Sequence, residues 1–382
     1  MKPRLVYIVT HPLTAHALLK GQLSFMQTNG FETVLITSPD QSLEEIRERE
    51  NVRIETVAME REISPIQDLI SLFRLYRIIR KLKPDIVNAG TPKAGLLGMI
   101  ASFAARVPVR IYVLRGLRLE TTKGWTRIIL SLTERVAASC AHRVICVSES
   151  LRKAYLMHGL SDPAKTLVVG SGSSNGVDVE RFSASLARKE ETAKELGLTS
   201  GLNVIGFVGR LTRDKGIREL LEAFRLVSEP FPGLRLLIMG EAEPGDPLED
   251  NVIDQIRTDP RIIHTGFVTD TARYYAVMDL LVLPSYREGF PNAPLEAAAA
   301  GIPTVGFRVT GTMDAVDDGV TGKLVTAGDS NALAGAIRFY LENPEHRIAH
   351  GRAARDRVFQ EFRNEMVWNN LKQVFHVTHC TH

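Results

Sequence analysis

The sequence predicts an α/β protein built from two Rossmann-like parallel-sheet domains that face one another across a cleft. Its 382 residues suit two or three domains of about 150 residues each. Short β-rich runs alternate with helical patterns along most of the chain, and such alternation produces parallel sheets covered by helices on both faces. One polar, charged stretch at residues 183–202 interrupts the series, so we expect the chain to pass between the domains there.

The first half of the chain contains six predicted strands with helices between them. β-Branched and aromatic residues bounded by turn residues indicate the strands, and apolar residues three or four positions apart indicate the helices. The strands are expected at 5–10, 33–37, 52–57, 85–88, 109–114 and 143–147, and the helices at 15–28, 66–82, 93–105, 126–141 and 149–158.

The second half repeats this pattern and ends in helices. We therefore place an N-terminal domain at residues 1–182 and a C-terminal domain at residues 183–364, and we expect a helix at 365–382 to return to the N-terminal domain. The strands are expected at 203–208, 234–239, 262–265, 280–283, 304–306 and 323–325, with helices beginning near Gly216 and at 293–300, 331–341, 344–361 and 365–374.

Composition excludes several classes of protein. Hydrophobic residues make up 44% of the chain and charged residues 24%, as in ordinary soluble globular proteins. The longest nearly apolar stretch, residues 94–105, is shorter than the roughly 20 residues that span a bilayer. No secretory signal precedes the first strand, so we expect a cytoplasmic location. Cys140, Cys146 and Cys380 show no CxxC spacing, so neither a disulfide framework nor a zinc site is expected.

The two halves differ in net charge. Residues 1–180 carry +7 and the remainder −4, within a total of +3. This asymmetry favours an anionic partner for the first half, either a phosphate-bearing substrate or an acidic lipid surface. The helical segment 69–83 mixes apolar and basic residues, so it either lies on an anionic membrane or covers the sheet with its bases in water. The sequence lacks the dense basic stripe that nucleic-acid binding requires.

The first candidate site residues follow the strand at 203–208. Gly209 lets the backbone approach a ligand closely, and the helix beginning near Gly216 presents free N–H groups and a positive dipole. Arg210 and Lys215 add two cations to the same loop. This combination suits a diphosphate, because charge-assisted hydrogen bonds are about twice as strong as neutral ones. An ordinary loop with exposed basic residues fits the same spacing equally well.

A second group of candidates follows the fourth predicted strand of the second half. The segment turns through Gly289 and two prolines and enters an alanine-rich helix at 293–300. Glu288 lies in the turn and Glu296 on the helix, so two carboxylates would bind hydroxyl groups of a sugar and a ribose. The helix N-terminus would meet phosphate. The alternatives are a surface charge for Glu288 and compensation of the helix dipole, worth about 0.5 kcal/mol, for Glu296.

These residues resemble the retaining family-four glycosyltransferases of the GT-B fold. Seven residues separate Glu288 from Glu296. The two glutamates lie between Pro284-Ser285 and a stretch that ends in Gly301-Ile302-Pro303, and Gly209-Arg210 and Lys215-Gly216 lie upstream. The resemblance covers most of the chain. Its first half is most similar to transferases that elongate lipid-linked capsule, O-antigen or N-glycan precursors, including the bacillosaminyl-diphospho-undecaprenol N-acetylgalactosaminyltransferase type. The segments that carry this similarity are 83–85, 91–95 and 115–118.

The resemblance implies a role for each position. Arg210 and Lys215 would neutralise the leaving diphosphate of a nucleotide sugar. Glu288 would hold sugar hydroxyls and orient the anomeric carbon, and Glu296 would bind ribose hydroxyls. The pocket for the sugar and the phosphates would be lined by Gly209, Gly289, Phe290, Asn292 and Leu295.

The implied activity is transfer of an N-acetylhexosamine from a UDP-sugar to a polyprenyl-diphosphate-linked saccharide, with retained anomeric configuration. No cofactor or metal is expected, because the sequence has no DxD triplet and no clustered His and Asp ligands. The expected partners are the nucleotide sugar and the lipid-linked acceptor, with an anionic membrane surface as a further candidate. Two alternatives stay open: a GT-B sugar-nucleotide epimerase and a non-catalytic protein that binds nucleotide sugars.

The N-terminal domain is expected to bind the acceptor. Its loops depart from the family in two ways: residues 10–15 contain no glycine, and residues 115–120 contain no histidine. A solvated loop is the alternative for the second segment. The acceptor candidates are Arg115 and Arg118 for a lipid-linked pyrophosphate, Glu120 for an acceptor hydroxyl, and His11.

Overall fold

The computed structural model describes residues 2–60, 64–199, 201–243 and 245–380. Contacts divide the chain into two units. Unit 1 consists of the residues up to Asn175 together with those from Asn364 onward, and unit 2 is Gly176–Arg363. The chain leaves unit 1 earlier than the predicted boundary after residue 182, because the helix that begins at Val179 packs within unit 2.

Unit 1 contains a sheet of seven parallel strands in the order β3-β2-β1-β4-β5-β6-β7. Six strands lie where the sequence predicts them, and β7 is too short to leave a pattern. The strands are β1 (Arg4–Ile8), β2 (Glu32–Thr37), β3 (Arg53–Thr56), β4 (Ile86–Gly90), β5 (Val109–Leu114), β6 (Arg143–Cys146) and β7 (Thr166–Val168). The helices are α1 (Pro12–Leu18), α2 (Gln22–Thr28), α3 (Leu43–Glu50), α4 (Pro65–Leu82), α5 (Pro92–Ala104), α6 (Gly124–Cys140) and α7 (Glu149–Met157).

The single helix predicted at 15–28 is wrong, because the chain breaks between α1 and α2. Gly21 has φ +76°, in the left-handed region that favours glycine. A Cβ at this position would lie 2.7 Å from the Trp368 ring. The Gly21 N–H donates instead to the buried Glu50 carboxylate at 2.9 Å, which fixes the start of α2 against α3.

α5 is the buried middle helix of one layer in unit 1. It packs on β4 and β5 and contacts both α4 and α6. Glycines make the approach to the sheet possible, since a Cβ at Gly95 would lie 2.3 Å from the Tyr112 ring and one at Gly98 would lie 3.1 Å from Ile8. The outward faces of α4 and α6 therefore form much of the surface of this layer.

Unit 2 contains a sheet of six parallel strands in the order β10-β9-β8-β11-β12-β13. A core of aliphatic and aromatic side chains packs against it, as a parallel sheet covered by helices requires. The strands are β8 (Asn203–Val208), β9 (Leu234–Met239), β10 (Ile262–Gly266), β11 (Leu280–Leu283), β12 (Thr304–Phe307) and β13 (Gly322–Val325). The helices are α8 (Val179–Ser185), α9 (Lys189–Glu195), α10 (Ile217–Ser228), α11 (Asp250–Thr258), α12 (Ala272–Tyr275), α13 (Asn292–Ala299), α14 (Thr312–Ala315), α15 (Ser330–Glu342) and α16 (Pro344–Glu361).

The segment 183–202 is not the connection that its polarity predicts. Much of it is helical, in α8 and α9, and α8 packs against α12 and α13 of the same unit. Phe182 is buried, with its ring 5.5 Å from that of Tyr275, and Thr192 of α9 is also buried. A few buried contacts are enough to fix these two short helices in unit 2.

A last helix, α17 (Asn364–Cys380), belongs to unit 1. Phe375 is fully buried and its ring meets the rings of Tyr7 and Phe31 edge-on. The Trp368 indole donates to Asn175 Oδ1 at 2.7 Å. The α/β class and the two Rossmann-like parallel sheets that the sequence predicts are confirmed. In the described part of the chain, no helix combines the length and the apolarity needed to cross a bilayer.

Candidate functional site

The loops that follow β8 and β11 begin side by side at the carboxyl edge of the unit 2 sheet. β8 lies between β9 and β11. From β8 the chain continues through β9 to β10 on one side, whereas β11 leads to β12 and β13 on the other. At such a reversal the two loops diverge and leave a crevice, which is where open parallel sheets bind ligands. The two groups of candidates from the sequence are these two loops.

The loop after β8 is held against the loop after β11 by a glycine. Gly216 has φ +68° at the start of α10. A Cβ there would lie 2.0 Å from the Pro284 carbonyl oxygen, so only glycine lets the loops approach this closely. A 3₁₀ turn at Arg213–Lys215 precedes it and presents the Lys215 side chain toward the second loop.

Lys215 and Glu288 meet across the two loops. Lys215 Nζ donates to Glu288 Oε1 at 2.5 Å, and the side chains are only 15% and 12% exposed. Two sequence-predicted candidates from separate loops therefore form one ion pair. Low exposure strengthens the attraction between the ammonium and the carboxylate, because less water screens the two charges.

Arg210 lies in the same loop as Lys215 but has a different partner. Its guanidinium donates to Glu243, which follows β9, and its side chain is 51% exposed. Sequence reasoning assigned Glu243 no role, since it lies in a segment without a recognisable motif. The Glu243 carboxylate therefore holds the Arg210 guanidinium at this edge of the sheet while leaving it half exposed.

Asp214 and Arg287 form a second link between the loops, which the sequence analysis missed. Arg287 Nη2 donates to Asp214 Oδ2 at 3.0 Å, and the Thr212 hydroxyl donates to Asp214 Oδ1 at 2.6 Å. Burial raises the pKa of Asp214, but the Thr212 hydrogen bond and the nearby Lys215 and Arg287 outweigh it, so the pKa is lower than usual. The Thr-x-Asp spacing of residues 212–214 was the sequence feature that could have indicated the Thr212–Asp214 hydrogen bond.

Glu296 lies on α13 and accepts a hydrogen bond from a residue of α12. Tyr275 Oη donates to Glu296 Oε2 at 2.9 Å. Burial raises the pKa of Glu296, while the Tyr275 hydrogen bond and the charge of Arg181 lower it in part. Glu296 therefore has a different partner from Glu288, and no sequence pattern indicated Tyr275.

The remaining donor-side candidates shape the loop after β11. Phe290 is buried with its ring 5.3 Å from that of Phe362, and Leu295 is buried in α13. Gly289 touches the loop after β12, because a Cβ on Gly311, which has φ +78°, would lie 2.5 Å from the Gly289 oxygen. Gly209 directly follows β8. Direct contact of these residues with a ligand stays a prediction.

Several buried polar atoms at this edge have no hydrogen-bond partner among the described residues. Such atoms are rare, and ligands or water often complete them. They belong to the loop after β11, to the start of α13 or to the start of α14. They are Ser285 Oγ, Arg287 Nε, Asn292 Oδ1 and Thr312 Oγ1.

In unit 1 the strand order reverses between β1 and β4. His11 follows β1 and caps α1, with its Nδ1 accepting from the Leu13 N–H at 3.2 Å. Thr10 and Thr91 meet there through hydroxyls 2.7 Å apart, and Thr91 has φ +78°, a strained value for a β-branched residue. His11 was predicted from the sequence as a site residue, whereas the two threonines were not.

The other acceptor candidates follow β5. Arg115 is buried, which lowers its pKa to about 10, and its Nε and Nη1 have no partner among the described residues. It borders a pocket of about 20 Å³ that Gln22 and Asn88 also line, room for about one water. Arg118 is exposed, and Glu120 is half-buried in the same 3₁₀ turn.

In the described residues, His, Cys, Asp and Glu side chains form no group of three or more placed to hold a metal ion. The polar groups described at the two carboxyl edges are cations, carboxylates and hydroxyls. They belong to Lys215, Arg210, Arg115, Glu288, Glu296, Thr10 and Thr91. Such a set suits anionic and polyhydroxylated ligands.

Two family models match the chain. Residues 202–343 match the model described as "Glycosyl transferases group 1", and residues 22–172 match the model described as "Glycosyl transferase 4-like domain". The first covers most of unit 2 and the second most of unit 1.

Curated relatives extend over most of the chain. The capsular polysaccharide biosynthesis glycosyltransferase CapM of Staphylococcus aureus is 35% identical over 358 residues, which is 94% of this chain and 93% of CapM. The UDP-Gal:alpha-D-GlcNAc-diphosphoundecaprenol alpha-1,3-galactosyltransferase of Escherichia coli is 31% identical over 280 residues, 72% of this chain and 71% of that protein.

Solved structures share the fold. Alr3699/HepE of Anabaena, crystallised in complex with UDP and glucose, superimposes with a TM-score of 0.80 over 98% of this chain and 99% of that chain, at 21% identity. The sucrose-phosphate synthase of Thermosynechococcus elongatus gives a TM-score of 0.80 at 19% identity over the whole of both chains. At these identities the likeness concerns the fold alone.

Proposed function

Because this chain belongs to the group 1 glycosyltransferases, we propose that it transfers a sugar from a UDP-sugar to a saccharide linked to polyprenyl diphosphate, with retention of the anomeric configuration. The observation that carries the proposal is the Lys215–Glu288 contact of 2.5 Å. A cation and a carboxylate, both largely shielded from water, meet where a parallel sheet of this topology binds its ligand.

The proposed role of Lys215 and Arg210 is to stabilise the leaving diphosphate. Transfer breaks the bond between the anomeric carbon and the phosphate oxygen, and the electron pair leaves with UDP, so negative charge grows on the diphosphate. Preorganised cations stabilise such charge, and one lost donor costs about 3 kcal/mol. Glu288 and Glu243 hold the two cations in place beforehand. Since these protein cations supply the charge, we propose that no metal cofactor is needed.

The proposed roles of the two glutamates follow from their partners. Glu288 retains a second carboxylate oxygen besides the one that Lys215 contacts, and this oxygen would accept from sugar hydroxyls. Glu296 accepts a hydrogen bond from Tyr275, and we assign it to the ribose hydroxyls. The N–H groups at the start of α13, next to the unpartnered Asn292 Oδ1, would meet phosphate oxygens.

Unit 1 would bind the acceptor. A guanidinium with two unpartnered nitrogens, as Arg115 has, suits an anion, and a diphosphate is the anion that a lipid-linked saccharide offers. The name of the E. coli relative includes a diphosphoundecaprenol-linked acceptor, and that of CapM capsular polysaccharide. We therefore propose a role in surface polysaccharide synthesis at the cytoplasmic face of the membrane. An N-acetylhexosamine donor is proposed from the resemblance to the N-acetylgalactosaminyltransferase type.

A donor and acceptor screen tests the proposal. The protein is incubated with several UDP-sugars, including UDP-N-acetylhexosamines and UDP-galactose, with and without a short-chain polyprenyl-diphosphate N-acetylglucosamine. Mass spectrometry follows UDP release and the product, and NMR gives its anomeric configuration. We expect turnover only with the acceptor, an α-linked product from an α-linked donor, and no loss of activity with EDTA.

Each alternative has its own signature in this screen. Conversion of the donor without acceptor would identify an epimerase, and tight UDP binding without turnover of any donor would identify a non-catalytic binding protein. An inverted product would overturn the retaining mechanism while leaving the transferase assignment intact.

A further inference from the structure

Two helices of unit 1 expose stripes of large apolar side chains. Their members lie three or four residues apart, so each set occupies one helix face. Together they are nine of the 19 large apolar side chains that the described part of the chain exposes, and both helices pack against α5. Exposed apolar side chains concentrated in this way mark an interaction surface. The apolar face, as we call it, consists of Ile66, Leu69, Ile70 and Phe73 on α4 and Trp125, Ile128, Ile129, Leu132 and Val136 on α6.

Except for Val136, the residues of the apolar face lie toward the carboxyl edge of the unit 1 sheet. α4 leads into β4 and α6 leads into β6. Helices that connect parallel strands run antiparallel to them, so the N-terminal halves of both helices lie at the edge where the strands end. That is the edge at which the loops carrying His11 and Arg115 begin.

The charges beside the apolar face are positive. Arg74 and Arg77 are exposed on α4, with the Arg77 guanidinium 5.9 Å from the centre of the Phe73 ring. Lys123 and Arg127 are exposed on either side of Trp125. Cations flanking apolar side chains are the composition of helices that lie in the headgroup region of anionic membranes.

The acidic residues of the two helices do not oppose these cations. α4 contains only Asp68, which pairs with Lys93 Nζ of α5 at 2.7 Å. α6 contains only Glu134, which is buried and accepts from Tyr112 Oη at 2.9 Å. The outward surfaces of α4 and α6 therefore present apolar and basic groups together.

We propose that the apolar face is the surface by which this protein lies on an anionic phospholipid bilayer. The side chains of α4 and α6 enter the headgroup region, and the flanking arginines and lysine meet lipid phosphates. This inference deepens the proposed function and relies on it in one respect. The bilayer would contact unit 1 near the loops after β1 and β5, so a lipid-linked acceptor could reach these loops directly from the membrane.

Vesicle binding by the full chain tests the proposal. We expect the protein to co-sediment with phosphatidylglycerol-containing vesicles at low salt and more weakly with pure phosphatidylcholine vesicles. Trp125, which is 82% exposed, should show a blue shift in fluorescence that the Trp125→Phe variant lacks. The double variant Phe73→Ser/Ile129→Ser should lose at least about tenfold in vesicle affinity, because it removes two apolar side chains from the interface.

A matched control separates this surface from general stickiness. Phe103 of α5 is 58% exposed against 60% for Phe73 and likewise has an arginine over its ring, but it lies at the opposite end of the helix layer. The Phe103→Ser/Met157→Ser variant should bind vesicles like the wild type. Absent vesicle binding, or an equal loss in the control variant, would overturn the proposal.

Two further results have defined meanings. A wild-type dimer that Phe73→Ser/Ile129→Ser dissociates, without vesicle binding, would assign the face to a second copy and overturn the membrane proposal. UDP binding by calorimetry and turnover of a water-soluble acceptor test the proposed function separately. We expect both to be unchanged in the double variant, so failure of one proposal is distinguishable from failure of the other.

Discussion

Lys215 and Glu288 form an ion pair in surroundings that disfavour charged groups, because little water reaches them. For side chains so little exposed, the loss of hydration offsets much of the attraction between the two ions. The pair therefore contributes little net stability, yet it fixes an ammonium and a carboxylate at 2.5 Å. An arriving diphosphate would share the ammonium with Glu288, so the cation needs no rearrangement when the leaving group develops its charge.

Single substitutions at this pair should abolish most of the activity. We expect Lys215→Ala and Glu288→Ala each to reduce turnover by at least about 100-fold, the effect of removing one preorganised electrostatic group. Lys189→Ala, at an exposed position on α9, is the matched control and should be neutral. Initial rates of UDP release, with circular dichroism as a check on folding, provide the measurement. Wild-type turnover in both site variants would refute the site assignment.

Glu134 gives unit 1 a pH-dependent stability. Burial raises the pKa of its carboxyl to about 7, although hydrogen bonds from Tyr112 and Tyr155 oppose this. Its pKa in the unfolded chain is near the ordinary value of 4.5, so folding takes up a proton between these values. The contribution to stability is present at low pH and is lost as the pH rises from about 4.5 through about 7.

The Glu134→Gln variant isolates this effect, since its amide oxygen still accepts from the tyrosines. We expect the free energy of unfolding of the wild type to fall between about pH 5 and about pH 8 by up to roughly 3 kcal/mol more than that of the variant. Urea unfolding at both pH values provides the comparison. Parallel pH dependence in the two proteins would contradict the assignment.

At the scale of elements, close contact between loops is what assembles the site. The loops after β8 and β11 touch at Gly216 and Pro284, and the loops after β11 and β12 touch at Gly289 and Gly311. Each contact requires a glycine that has no Cβ and a left-handed φ. The rigid strands set the positions of the loops, and the glycines let them approach each other.

Gly216→Ala should therefore damage unit 2 and the site together. Its φ of +68° is matched by the +67° of Gly197, where a Cβ would meet no atom within 4 Å. We expect Gly197→Ala to cost roughly 1–2 kcal/mol from backbone strain alone, and Gly216→Ala to cost about 1–3 kcal/mol more from overpacking and to abolish turnover. Thermal unfolding and initial rates give both quantities; equal costs at the two positions would show that the loop contact is unimportant.

Elements with strong apolar patterns were predictable, whereas weakly patterned ones were not. β5, β8 and β11 match the predicted bounds, because apolar and β-branched residues fill strands buried on both faces. α3 went unrecognised because it is mostly charged and buries only Ile46 and Glu50. α8 and α9 are likewise polar, and packing in unit 2, not local pattern, fixes them.

The candidate site was predictable within loops but not between them. The sequence identified Lys215 and Glu288 from their positions after strands. It did not indicate Glu243, because the order β9-β8-β11 decides which loops are neighbours, and strand order leaves no mark on a local pattern. It did not indicate Tyr275 either, because the contact of α12 with α13 arises only in the folded chain. Arg115 was named from its loop, but only the structure shows that its guanidinium is buried.

For the whole molecule, the two units differ in how the chain builds them. Unit 2 is one continuous segment, whereas unit 1 combines the residues up to Asn175 with those from Asn364 onward. The returning helix α17 contributes Phe375 to the core beside Tyr7 and Phe31. Unit 1 therefore depends on residues that are far from its sheet in the sequence.

Removing the residues from Asn364 onward should destabilise unit 1 selectively. Loss of a buried phenylalanine alone costs about 3–5 kcal/mol, a large share of the 5–15 kcal/mol that holds a typical domain. Limited proteolysis with mass spectrometry should find early cleavage within residues 1–175 and protection of 176–363. The point variant Phe375→Ala is the milder comparison, since it removes only the buried ring. It should also be cleaved first in unit 1, but more slowly than the truncated chain. First cleavage in unit 2 would contradict this view.

Because unit 1 is made of two separate segments, its parts are synthesised at different times. Its seven strands emerge from the ribosome first, but the helix that covers Tyr7 and Phe31 emerges only after all of unit 2. Throughout that interval the nascent chain carries an uncovered apolar patch around Tyr7 and Phe31. Chaperones that shield nascent chains would find their target in unit 1.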